Sequence, residues 1–129
     1  MYNFKNFYLN KKVLITGHTG FKGSWLTLWL YLLGAKVIGV SKDYPSIPSH
    51  SEKLRLNKKI ININLDITNF QKLNSIFRKY KPDIVFHLAA QSLVKKSYEI
   101  PNITFLTNTI GTLNVLECLR KLKKKCISV

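Results

Sequence analysis

Three glycines, Gly17, Gly20 and Gly23, separate a short apolar run at residues 13–15 from a longer one at 25–33. If the first run is a strand and the second a helix, this spacing suits the binding of a dinucleotide. Gly17 permits a tight turn. Gly20 lets the main chain approach a pyrophosphate with no Cβ in the way, and Gly23 lets the helix sit close on the sheet. The helix then aims its free N–H groups and the positive end of its dipole at the phosphates. Thr19, Phe21 and Lys22 lie in the same turn and complete the candidate phosphate-binding set.

Further candidate nucleotide contacts stand where later apolar runs end. Asp66 follows the run 60–65 and can accept a hydrogen bond from an exocyclic amine, or else cap the next helix; Ile67 adjoins it. Leu88, Ala89, Ala90 and Gln91 close another run, and small side chains there let phosphates and ribose pass close to the main chain. His87 lies inside that run, where a packed or hydrogen-bonded role suits it better than a catalytic one. Asn108 is expected to tie neighbouring strand ends together through its amide. Gly111 should let a helix approach closely, since a helical glycine without such a purpose costs about 1 kcal/mol. An acidic partner for the adenosine ribose is expected about 20 residues past the glycines. Ser41 and Lys42 occupy that place, with Asp43 just beyond. Asp43 can reach the ribose from a loop, Ser41 can serve as a neutral partner, and Lys42 can meet a 2′-phosphate. On these residues NAD and NADP both stay open.

Holding such residues together requires strands and helices in alternation. Residues 12–16 read as the first strand and 20–33 as the first helix, which Gly34 stops as a C′ residue would. A second, β-branched strand covers 36–40. Residues 41–57, with Pro45 and Pro48, read as a loop with room for one short helical turn. The third strand spans 60–65. Thr68 or Asn69 then caps a helix over 70–80, whose Phe70, Leu73, Ile76 and Phe77 share one face. The fourth strand spans 83–88, a long helix fits 103–121, and 126–129 begins a fifth strand. This alternation predicts an α/β fold, a doubly wound parallel sheet with right-handed crossovers, truncated at the start of its fifth strand. The glycine turn then lies at the switch point, at the carboxyl ends of the strands.

Composition narrows the function. A chain of 129 residues, 46% hydrophobic and clearly periodic, is one folded domain at most. Residues 1–10 lack the apolar core and cleavage site of a signal peptide, and 25–33 is too short to span a bilayer, so no membrane partner is expected. Cys118 and Cys126 lack metal-ligand spacing and read as two reduced cytosolic thiols, with no metal site. The net charge of +15 comes almost wholly from scattered lysines. Only 121–125 is dense, where cations complement a helix end, and aromatic residues are not interleaved for base stacking. No nucleic acid is therefore expected. A solvated basic surface can still attract an anionic nucleotide substrate.

The pattern T-G-x-x-G-x-x-G from Thr16, with N-x-x-G-T at 108–112, resembles the extended branch of the short-chain dehydrogenase/reductase superfamily. A closer resemblance is to the CDP-glucose 4,6-dehydratases, whose fingerprint G-H-T-G-F-K-G-x-W-L is matched by residues 17–26. Lys22 stands where most relatives have Ile or Leu. Residues 82–98 are similar to that family's second block, with Ser92 where proline is common, and the likeness runs through essentially all 129 positions. It implies a Rossmann-type domain with tightly held NAD, and Asp66 against the adenine; Ser41 is compatible with that cofactor. It also implies a nucleotide-sugar substrate such as CDP-glucose, a cytoplasmic role in surface-polysaccharide synthesis, and a homodimer with residues 103–121 in part of the interface.

The implied reaction is an internal redox lyase step. Hydride leaves C4 of the sugar, water is lost across C5 and C6, and hydride returns to C6, giving CDP-4-keto-6-deoxyglucose. In such enzymes a Tyr-x-x-x-Lys pair provides the base, the lysine lowering the tyrosine pKa. The Tyr8 to Lys12 match here precedes the first strand, on the wrong side of the sheet, and is read as chance. The family's catalytic segment would begin just past Val129. Residues 1–129 are thus expected to be the N-terminal part of an NAD(P)-binding domain. With no catalytic residues of its own, that part should be inactive in isolation, and poorly soluble because its cut sheet exposes apolar surface. Two alternatives are another sugar-nucleotide epimerase or dehydratase, and a non-catalytic dinucleotide sensor.

Overall fold

Val13, Leu14 and Ile15 are sealed from solvent in β1 (Lys12–Thr16), the middle strand of a five-stranded parallel sheet. An unbroken apolar run of this kind suits a strand covered on both faces. The computed structural model describes residues 4–129, without the side chain of Lys5, so positions 1–3 of the stretch read for a leader lie outside the described residues. The other strands are β2 (Lys36–Ser41), β3 (Ile61–Asn64), β4 (Ile84–His87) and β5 (Ile127–Ser128). They are ordered β3-β2-β1-β4-β5, with Leu14 in register with Ile38 on one side and Val85 on the other. The chain leaves β1 towards β2 and β3, then crosses back to β4. That reversal makes the β1–β4 boundary the switch point.

The helices are α1 (Phe4–Tyr8), α2 (Phe21–Leu32), α3 (His50–Lys53), α4 (Phe70–Tyr80), α5 (Val94–Glu99), α6 (Pro101–Phe105) and α7 (Thr112–Lys121). Alternation along β1 sends side chains to two cores. Val13 and Ile15 pack with Leu30 of α2, and Leu14 packs with Leu73 and Phe77 of α4 and Val115 of α7. Helices thus cover both faces, the Rossmann-type architecture expected. Gly34, at φ +81°, ends α2 in a Schellman motif: its N–H donates to the Tyr31 carbonyl and that of Ala35 to the Leu30 carbonyl. Asn69 caps α4 by accepting from the Lys72 N–H, so Asp66 is released from the capping role.

Several elements differ from the sequence reading. The stretch 41–57 contributes Ser41 to β2 and holds two short helical turns, α3 and a 3-10 turn at Leu56–Lys58, instead of one. A capping box between Ser49 and Glu52 starts α3, and fully buried Leu56 anchors the second turn. Helices α1 and α5 were not anticipated. The long helix expected over 103–121 begins two residues earlier, with Pro101 at its first position, and is interrupted by a π-helical turn at Leu106–Gly111. On the β5 side, Ile127 and Val129 are exposed beside an apolar groove of about 190 Å³ lined by Val85, Val115, Leu116 and Leu119. Apolar surface was expected at the fifth strand. Among the described residues no helix is long and apolar enough to cross a membrane.

Candidate functional site

The glycine turn joins β1 to α2 and is filled mostly by the protein itself. Gly17 adopts φ +74°, and a Cβ there would lie 2.7 Å from the Leu88 carbonyl carbon and the Ala89 nitrogen. A Cβ on Gly23 would fall 2.1 Å from the Gly17 carbonyl oxygen. Gly23 therefore seats α2 against the turn. Gly20 is different: a Cβ there would meet only the Gly17 oxygen, at 3.3 Å, and otherwise opens outward. The α2 N-terminus has neither a side-chain cap nor an acidic residue in its first turn, whereas Ser49 and Asn69 cap α3 and α4. Uncapped N–H groups and a helix dipole beside an open glycine make an anion cradle.

Two histidines, His18 buried and His87 half-buried, fasten the loops around this turn. The Thr16 hydroxyl lies 3.2 Å from the Ala89 N–H, which it accepts, and 2.6 Å from His87 Nδ1. His87 Nε2 reaches the Thr112 hydroxyl at 2.9 Å, and that hydroxyl donates to the Asn108 carbonyl. The second relay has the same form. The Ser41 hydroxyl accepts from the Thr19 N–H and lies 2.9 Å from His18 Nδ1, while His18 Nε2 is 2.8 Å from Asn62 Oδ1. Both networks are satisfied by a neutral ring protonated at Nε2. Burial lowers the pKa of each ring below its usual value, in keeping with the neutral form. His87 thus has the hydrogen-bonded structural role anticipated for it. His18 was not singled out, although a buried ring over Gly39, where a Cβ would come within 2.5 Å, explains that strand glycine.

At the ends of β2 and β3, Lys42 Nζ sits 3.1 Å from Asp66 Oδ2. Asp66 Oδ1 accepts from the Thr68 N–H and hydroxyl. Burial pushes the Asp66 carboxyl up, but those hydrogen bonds and the Lys42 ammonium outweigh it and hold the pKa below the usual range. The hydrogen bond to Asp66 raises the pKa of Lys42. Thr19 donates its hydroxyl to the Asp43 carbonyl at 2.6 Å, tying the loop after β2 to the glycine turn. A shallow depression opens between Thr19, Ser41, Lys42, Asp43, Tyr44, Asn62 and Asn64.

The remaining candidates converge from the other side. Asn108, in the π-helical turn, accepts from the Gln91 N–H at 2.8 Å and donates to the Gln91 carbonyl at 3.0 Å. It therefore clamps the segment after β4 to the helix instead of tying two strand ends to each other. Gly111 lets the helix approach Ile67, whose Cδ1 would lie 2.5 Å from an added Cβ. The Ile67 side chain is buried, and its carbonyl accepts from Asn114. Phe21 and Lys22 project from the start of α2, both exposed. The sequence candidates fall into linked groups: Gly17 with Leu88 and Ala89, Thr19 with Ser41 and Asp43, Gln91 with Asn108. Tyr8 and Lys12 stand apart at the opposite end of β1, where the Lys12 N–H donates to Asp83. Burial pushes the Cys118 thiol up to about 11 and raises that of Cys126. Neither is a thiolate at neutral pH. Among the described residues no group of three His, Cys, Asp or Glu is placed to hold a metal ion.

The profile of a family described as GDP-mannose 4,6 dehydratase matches residues 14–129. The CDP-glucose 4,6-dehydratase of Salmonella typhimurium is 50% identical over 117 residues, covering 91% of this chain and 33% of that protein. An epimerase structure from Methanothermobacter thermautotrophicus superposes with a TM-score of 0.80 at 34% identity, covering 93% of this chain and 34% of the other. The UDP-glucose 4-epimerase of Thermus thermophilus in complex with NAD gives 0.76 at 32% identity, over 86% and 34%. The chain spans about a third of the length of these relatives.

Proposed function

This chain belongs to the GDP-mannose 4,6-dehydratase family, and on that premise we propose that residues 1–129 form the N-terminal part of the NAD-binding domain of a nucleotide-sugar 4,6-dehydratase acting on CDP-glucose. The observation that carries this reading is the uncapped α2 N-terminus beside the open side of Gly20, at the switch point of the sheet. A pyrophosphate fits that cradle, held by main-chain N–H groups of residues 17–23 with Lys22 adding charge. Asp66 accepts from the adenine amine with lone pairs that Thr68 and Lys42 leave free, and the Ile67 main chain lies alongside. Asp43 offers an acceptor to the ribose hydroxyls. Ser41 shapes this pocket through the His18 relay, its hydroxyl being committed there. The backbone of residues 88–91, fixed by Thr16 and Asn108, lines the path of the second ribose.

When bound, NAD supplies a hydride acceptor that returns the hydride within one turnover. The chain's own residues bind and orient it and keep the pyrophosphate close to the helix. The 50% identity to a CDP-glucose 4,6-dehydratase supports the choice of sugar nucleotide. A cytoplasmic homodimer completes the reading. Ile103, Leu106, Leu113 and Leu116 are exposed along the helical path 101–121 and supply an apolar face for a second copy.

The test uses the full gene product, incubated in turn with CDP-glucose, GDP-mannose and UDP-glucose and followed by NMR for a 4-keto-6-deoxy sugar. Conversion of CDP-glucose alone is the expected result. Epimerisation of UDP-glucose would instead favour an epimerase, and NAD binding without turnover a sensor.

A further inference from the structure

The depression between β2 and β3 bears on which dinucleotide is accepted. If the reading above is right, the adenosine ribose lies there, and the inference rests on that reading. Lys42 is the only cation among the residues lining it. A lone lysine at this place would invite a 2′-phosphate. Its ammonium, however, is 3.1 Å from Asp66 Oδ2, and Asp66 is itself fixed by two hydrogen bonds from Thr68. Asp43 adjoins Lys42 in sequence and contributes a second negative charge nearby. The three side chains together carry one net negative charge. A 2′-phosphate would have to share Lys42 with Asp66, which would bring the dianion beside a partly buried carboxylate whose charge the ammonium already offsets.

We propose that the Lys42–Asp66 ion pair excludes a 2′-phosphate and so selects NAD over NADP. The selecting acid stands at the end of the third strand and acts by holding Lys42. The end of the second strand, where a ribose-binding acid is ordinarily sought, holds Ser41, which is spent on the His18 relay.

The experiment measures Kd for NAD and for NADP by titration calorimetry on the full gene product. It compares the wild type with Asp66→Asn and with Asp66→Asn/Lys42→Met, melting curves confirming that each variant folds. Asparagine keeps the Oδ1 acceptor for Thr68 while removing the charge that holds Lys42. A weaker hold on the adenine cancels in the NADP to NAD ratio, because both cofactors carry the same base. The wild type is expected to prefer NAD, Asp66→Asn to shift the ratio towards NADP by about fivefold or more, and the added Lys42→Met to abolish that shift. Should the asparagine variant not fold, Asp66→Ser takes its place with the same expectation. An unchanged ratio in the single variant, a shift that survives removal of Lys42, or a wild type preferring NADP overturns the proposal. A wild type that binds neither cofactor overturns the dinucleotide reading itself.

Discussion

Replacing Gly23 or Gly20 by alanine separates the glycine that seats the helix from the one proposed to face the pyrophosphate. In Gly23→Ala the new Cβ would lie 2.1 Å from the Gly17 carbonyl oxygen and 2.9 Å from the His18 Cα. The start of α2 must retreat by at least about 0.9 Å before that contact reaches even 3.0 Å. Both neighbours are main chain in a turn fixed by the Gly17 N–H on the Val40 carbonyl and the Gly20 N–H on the Gly17 carbonyl, so neither yields cheaply. Overpacking of this severity costs about 3 kcal/mol or more, against which alanine's better helix propensity returns about 1 kcal/mol. A net loss of about 2–3 kcal/mol is expected. In Gly20→Ala the contact is 3.3 Å and the backbone, at φ −67° and ψ 167°, accepts alanine. Stability should change by no more than about 0.5 kcal/mol. On the proposed dinucleotide reading the outward methyl group would stand in the path of the pyrophosphate, so NAD affinity should fall by about tenfold or more. Urea unfolding followed by circular dichroism, with NAD titration of the same samples, reads both quantities. Gly23→Ala unfolding within about 1 kcal/mol of the wild type, or Gly20→Ala binding NAD as tightly as the wild type does, would refute these two roles.

Two further outcomes follow from buried and half-buried polar groups. Thr27 on α2 is fully buried, and its hydroxyl lacks a hydrogen-bond partner among the described residues. Thr27→Val keeps the shape and removes the unsatisfied group, so it should stabilise the fold by about 1 kcal/mol in urea unfolding; a loss of stability would reveal a partner. His18 and His87 have folded pKa values below the ordinary 6.5, so as pH falls the unfolded chain takes up protons that the folded one refuses. Their contribution is thus present above about pH 6.5 and is lost as pH drops below it. Urea midpoints should decline between about pH 7.5 and 5.5, and His18→Gln should flatten that decline; an unaltered pH dependence in the variant would refute the neutral-ring assignment.

Local signals in the chain carried much of the architecture. The apolar spacing of Phe70, Leu73 and Phe77 behind Asn69 fits the bounds of α4, and Gly34 sits at the left-handed position that closes α2. Each of these depends on residues a few positions apart, the range over which periodicity and capping act. The S-x-x-E box at Ser49 was equally local but lay in a stretch read as a loop with room for one short helical turn, its place left open. The π-helical turn around Asn108 was illegible; it ends where Gly111 packs on Ile67, 44 positions away in the chain.

The site divides along the same line. By itself the sequence determined a strand, a glycine turn and a helix in that order, put Asp66 and Leu88 to Gln91 near strand ends, and put Asn108 within a long helix, because backbone geometry confines such turns to few residue types. Only the tertiary structure decided what those side chains do. It spent the Ser41 hydroxyl on His18, paired Lys42 with Asp66, and closed Asn108 on the Gln91 main chain. Hydrogen bonds and ion pairs form between whatever groups the fold brings within about 3 Å, and a parallel sheet brings together residues that lie tens of positions apart.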